Sequence, residues 1–155
     1  MRSLALAVFV ALLLSPVCEA KKPHCTVRAH AQANALDGPV FSTELRSPAT
    51  GKNVVIEKVP TISERDVVAF RPYQAGDGSY GVLFHLSDHG KLALDTLSVE
   101  RRGTFLYVFV NGRAAAELQI DRRVSDGKLY VASGLTPADI TLMRKDWPLV
   151  GAAKK

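Results

Sequence analysis

Apolar positions follow different rhythms along this chain, and each rhythm predicts a different kind of element. The first is an unbroken run from Leu4 to Leu14, LALAVFVALLL, preceded by Arg2 and ended by Ser15 and Pro16. A two-residue alternation follows: between Cys25 and Ala33, Val27, Ala29, Ala31 and Ala33 oppose Thr26, Arg28, His30 and Gln32. Period two over this length predicts a half-buried strand. Val40 to Leu45, after the turn signal Asp37-Gly38-Pro39, alternates less regularly and is expected to form another strand. Asn53 to Val59 reads as a strand ended by Pro60, with Ser47 to Lys52 as the loop before it. Asp66 to Tyr73 and Tyr80 to Leu86 read as a hairpin around Asp77-Gly78. Thr104 to Val110, TFLYVFV, is apolar on both faces, which places it centrally in a sheet. Asn111-Gly112 predicts a type I′ turn into a partner strand over Ala114 to Asp121, and a last short strand covers Lys128 to Ala132.

Helical spacing appears twice. Ser87 can cap a helix reaching Val99, with Leu92, Leu97 and Val99 on its expected apolar face, closed by Gly103. Thr136-Pro137-Ala138-Asp139 starts the second: Thr136 caps, Pro137 takes the first helical position, and Asp139 stands three residues after the cap. Ile140 and Met143 offer its apolar side, and Pro148 follows its end. The order is several strands, a helix, three strands, a helix. It predicts an α+β fold, a mostly antiparallel sheet with two helices packed on one face.

The apolar leader changes the picture of where such a domain works. Residues 1–20 have the layout of a cleavable secretory signal peptide: a charged start, the apolar run, and the small residue Ala20 at the cut. A spanning helix needs roughly 18 to 20 apolar residues, more than this run supplies. A lipoprotein anchored at Cys18 would want a smaller residue than Val17 before the cysteine. The expectation is an exported protein, periplasmic or secreted, with one α+β domain over residues 25–150 and no transmembrane helix after cleavage.

Charge adds little. The formal net charge is +5, and loss of Arg2 together with Glu19 leaves it unchanged. A basic surface can attract acidic partners. Aromatic residues are not interleaved with the basic ones as a base-stacking surface requires, so nucleic acid is not an expected partner. Cys25 is the only cysteine left after cleavage, so it is a free thiol, a link to another chain, or a small residue half-buried at a strand start.

Candidate chemistry is sparse. His85, Asp88 and His89 stand at H-x-x-D-H spacing, but a metal site needs about three convergent ligands, and Asp88 also suits the positive end of a helix. Cys25 has His24 and His30 near it in sequence, yet adjacent strand residues point to opposite faces. No G-x-S-x-G elbow, paired carboxylates or complete phosphate loop is present. Weak candidates are therefore Cys25, His85, Asp88 and His89; no cofactor and no enzymatic activity is expected.

The stretch 53–149 resembles the head subdomain of the first periplasmic domain of SecD, a subunit of the bacterial protein-export machinery. The resemblance rests on Asp66-Val67-Val68, on Val82 to Gly90 (VLFHLSDHG), on Thr96, on Phe105 to Val110 with Asn111-Gly112, and on Gly134-Leu135-Thr136-Pro137-Ala138-Asp139. These are caps, turns and glycines. Ile140 departs from the alanine the family often carries, and the membrane helices on which SecD transport depends are missing here. The resemblance implies a fold and a habit of contacting other polypeptides. It points to a non-catalytic protein-interaction module with exported or envelope proteins as partners. The alternative is a small-molecule or metal-binding protein using the His85/His89 region.

Overall fold

A computed structural model of the chain describes residues 23–152, and the expected signal peptide lies outside these described residues. The strands are β1 (Val27–Ala31), β2 (Ser42–Arg46), β3 (Asn53–Glu57), β4 (Val67–Gln74), β5 (Tyr80–Leu86), β6 (Phe105–Val110), β7 (Arg113–Gln119) and β8 (Lys128–Leu135). The helices are α1 (Gly38–Phe41), α2 (Asp88–Glu100) and α3 (Pro137–Asp146), with a single 3₁₀ turn at Glu64–Asp66. All named strand pairs are antiparallel, so the fold is α+β. The strands do not form one sheet. They divide into β1-β6-β7, β2-β3 and β4-β5-β8.

Local chemistry explains most elements. β6 is the centre of its sheet, with Leu106, Tyr107, Val108 and Val110 buried, as its two-faced apolarity requires. Asn111 and Gly112 both take positive φ, 51° and 78°, the geometry of a type I′ turn. Thr136 and Asp139 form a reciprocal capping box at the start of α3. Ile140 and Met143 face inward, where Trp147 closes the helix and packs edge-on to Phe84 at 6.4 Å. One apolar cluster runs through both three-stranded sheets, α2 and α3.

Two expectations are corrected. Val40 and Phe41 do not open a strand: Pro39 sits in the first turn of the short helix α1, and the strand begins only at Ser42. The buried face of α2 is Gly90, Leu94, Leu97 and Ser98, whereas Leu92 and Val99 are 66% and 57% exposed. The first turn of α2 lies flat on the 3₁₀ turn, where a Cβ on Gly90 would come within 2.8 Å of Asp66 Cβ. That contact sets the rotation of the helix, so the inner side carries Gly90 and Ser98 beside Leu94 and Leu97, and Leu92 and Val99 turn outward.

Candidate functional site

The arrangement most open to a ligand is a gap in the β structure. Strand edges left unpaired expose rows of N–H and C=O groups, and proteins usually cover them. This chain covers its two outermost edges. At β1, Ala29 N donates to Ile62 O at 2.9 Å and Thr61 N donates to Ala29 O at 2.8 Å. At β4, Phe70 N donates to Pro148 O at 3.1 Å and Val150 N donates to Phe70 O at 2.9 Å. The remaining edges of the two three-stranded sheets belong to β7 and β8, which pair only with β6 and β5. They lie against one another, yet no backbone hydrogen bond joins them among the described residues.

The two strands meet at one end and part at the other. At the meeting end a Cβ on Gly134 would stand 2.9 Å from Ala115 O, so only glycine permits this approach. Arg113 Nη1 donates to Gly134 O there at 3.1 Å. Toward Leu118 and Leu129 the strands enclose a cleft of about 730 Å³. Leu83, Leu94 and Leu106 form part of its lining, with Leu118 directly across the ladder from Leu106. Tyr130, 54% exposed, stands at the mouth and stacks on Tyr73 with ring centres 5.6 Å apart. Segment 121–127 closes the wide end as a strap. Arg123 clamps it to α2 through two bonds to Asp95, of 2.6 and 2.8 Å, and Val124 N donates to Ser98 Oγ at 2.9 Å.

The polar residues singled out from sequence lie elsewhere, and Cys25 and His89 are engaged in structural contacts. Cys25 is fully buried, and burial first, with the nearby Asp139 and Asp146 carboxylates, pushes its thiol up to about 12. Its own N–H donates to Asp146 Oδ2 at 2.7 Å, beside His24, whose Nδ1 donates to Asp146 Oδ1 at 2.7 Å. His89 turns to Asp66, Nδ1 to Oδ1 at 2.7 Å, while Ser63 N and Oγ donate to the other oxygen. His85 is half-buried on β5, and Asp88 is exposed in the first turn of α2. No group of three ligands able to hold a metal comes together among the described residues.

Asp66 and Asp139 are the polar positions whose structural weight a sequence pattern understates. Burial works to raise the Asp66 carboxyl, but donors from Ser63 and His89 outweigh it and hold the group below its ordinary value. Asp139 is likewise opposed by burial and lowered by Thr136, Asn111 and Arg113. Asn111 Nδ2 and Arg113 Nη2 each donate to it at 2.8 Å, tying the β6–β7 turn to α3. The sequence signal for this role was the capping box alone.

The fold defined by these layers is SecD-head-like. No family model matches the chain, and no curated protein matches it in sequence. Among solved structures, SecDF in a super-membrane-facing form aligns with a TM-score of 0.56 and 13% identity, over 81% of this chain and 19% of that one. A second SecDF structure, described as a membrane component that enhances protein export, aligns with a TM-score of 0.55 and 12% identity, over 84% of this chain and 69% of that one. At such identity the likeness is one of fold. No described helix is long and apolar enough to cross a membrane.

Proposed function

We propose that this chain is an exported, non-catalytic module that binds extended polypeptide segments in the cleft between β7 and β8. The observation that carries the reading is the pair of facing strand edges that part over an apolar floor, in a chain that covers its two outer edges with its own backbone. An extended segment that enters the wide end past the 121–127 strap can pair with one or both edges and set an apolar side chain on Leu106 and Leu118. Main-chain pairing gives affinity with little sequence demand. SecDF is described as enhancing protein export, and a polypeptide ligand outside the cytoplasm agrees with both that likeness and the apolar leader. The non-catalytic reading is supported by the engagement of Asp66, His89 and Asp139 in caps and by the high thiol value of Cys25.

Titration of the labelled protein with an unfolded, apolar-rich model peptide tests this by amide chemical shifts. The expected perturbations fall on Leu118 to Ile120 and Leu129 to Val131, and Leu118→Lys weakens binding about tenfold or more by placing a charge on the apolar wall. Saturable binding with shifts confined to other surfaces, or no binding at all, defeats the reading.

A further inference from the structure

The registers of β7 and β8 dictate which backbone groups face the cleft. In an antiparallel ladder, pairs that exchange main-chain bonds alternate with pairs that do not, and a residue in a non-bonded pair turns its N–H and C=O to the other side of its strand. Leu86 N donates to Gly127 O at 2.8 Å, one step beyond the His85–Lys128 pair of β5 and β8. Counting on by twos, Phe84 exchanges bonds with Leu129, while Leu83 and Tyr130 stand opposite one another without bonding. Lys128, Tyr130 and Ala132 therefore aim their main-chain groups into the cleft. Lys128 N is taken by Asp126 Oδ1 at 3.1 Å, and Ala132 O accepts from the Tyr73 hydroxyl at 3.0 Å. Tyr130 is left with both groups open among the described residues. On β7, Ile120 N donates to Thr104 O at 2.9 Å, one step beyond the Phe105–Gln119 pair, so Glu117 and Gln119 face the cleft from the other side.

Side chains alternate in the same rhythm. Leu129 and Leu118, whose main-chain groups are spent within their own sheets, turn inward with Leu106, while Tyr130 stands outward. An occupant bonded to Tyr130 is thereby constrained. In antiparallel pairing, its residue opposite Tyr130 exchanges both bonds and points outward, and that residue's two neighbours point inward onto the leucines. The charges flanking Tyr130 are already matched: Glu117 accepts from Ser47 Oγ, and Lys128 Nζ lies 3.5 Å from Asp126 Oδ2. Outward positions of the segment meet the Tyr130 ring, and uncharged strand-forming residues suit them.

We propose, resting on the peptide-binding reading above, that the cleft selects segments with apolar side chains at every second position, and that such a segment pairs antiparallel to β8 through Tyr130. The demand is for a pattern and not for particular apolar residues. Segments with helical spacing put apolar side chains on both sides of an extended chain and fit poorly.

Two short peptides of one composition test this against the labelled protein, one with apolar residues alternating with Ser and Thr, the other with the same residues at helical spacing. The alternating peptide is expected to bind about tenfold or more tightly and to move the Tyr130 amide proton downfield. N-methylation of its central outward residue removes the donor that Tyr130 O accepts and is expected to weaken binding about tenfold, whereas methylation of the inward neighbour costs less than about twofold. Equal affinity for the two arrangements, with shifts still in the cleft, overturns the alternation and leaves the cleft a peptide site. Sensitivity to methylation at inward residues overturns the antiparallel pairing, because a parallel segment bonds Tyr130 through those residues. Absence of binding by either peptide overturns this inference together with the reading beneath it. A concentration-dependent dimer that shifts the same amides without peptide assigns these edges to a second copy of the chain and overturns it as well.

Discussion

Asp139 shows how one carboxylate can hold several elements. It accepts from Thr136 N and Oγ1, Asn111 Nδ2 and Arg113 Nη2 while its side chain is 9% exposed. Asp139→Ala removes these acceptors together and leaves the cap, the turn and the guanidinium without their common partner. The expected loss of stability is about 3 kcal/mol, read from urea unfolding. Asp139→Asn keeps the shape and retains part of that stability. Cys25 offers a second check at this scale. A thiol pushed up to about 12 by burial is protonated near neutral pH and shielded from reagent. A thiol probe at pH 8 is expected to leave the native protein unmodified and to react once urea unfolds it, as read by mass spectrometry.

Elements differ in how firmly they are seated. The strap 121–127 has few attachments, chiefly the Arg123–Asp95 pair and the Val124 bond to Ser98. The ion pair is exposed, so its effect on global stability is slight. Its local effect is larger, because it holds the segment that closes the wide end of the cleft. Asp95→Ala is expected to raise amide exchange at Val124 several-fold while the urea midpoint stays nearly constant. It should also speed peptide entry, because the strap lies across the wide end through which the segment passes. Exchange at Val124 identical to wild type would show that Ser98 alone holds the strap.

For the whole molecule, acid sensitivity follows from carboxyls lowered on folding. Asp66, Asp139 and Asp146 are each opposed by burial yet held below the ordinary value of 3.8 by their hydrogen bonds. A group depressed on folding stabilises fully above its unfolded value, and that contribution is lost as pH falls through the folded value. Stability is therefore expected to be level from about pH 6 to 5 and to decline below the ordinary aspartate range, as followed by urea unfolding at each pH. Asp66→Asn, which cannot titrate, should begin from a lower plateau and show a shallower decline.

Much of this architecture was legible in the chain itself. The Asn111-Gly112 turn, the Thr136 capping box, the central place of Phe105 to Val110 and the Ser87 cap all depend on contacts within a few residues. Turn and cap chemistry acts at short range, so the sequence by itself determined the order and kind of most elements, and through their ordered motifs the SecD-like fold. What it left open depended on residues far apart. Which face of α2 turns inward was decided by Gly90 meeting Asp66, and α1 replaced the start of an expected strand at a tip that no core covers. The division of the strands into separate sheets was decided where Gly134 meets Ala115 and the partner edges part beyond it. Periodicity reports that a side chain is apolar and on which face of its own element it lies. Whether a neighbouring element arrives to cover it, or stops short and leaves a cleft, is settled only when the whole chain has packed.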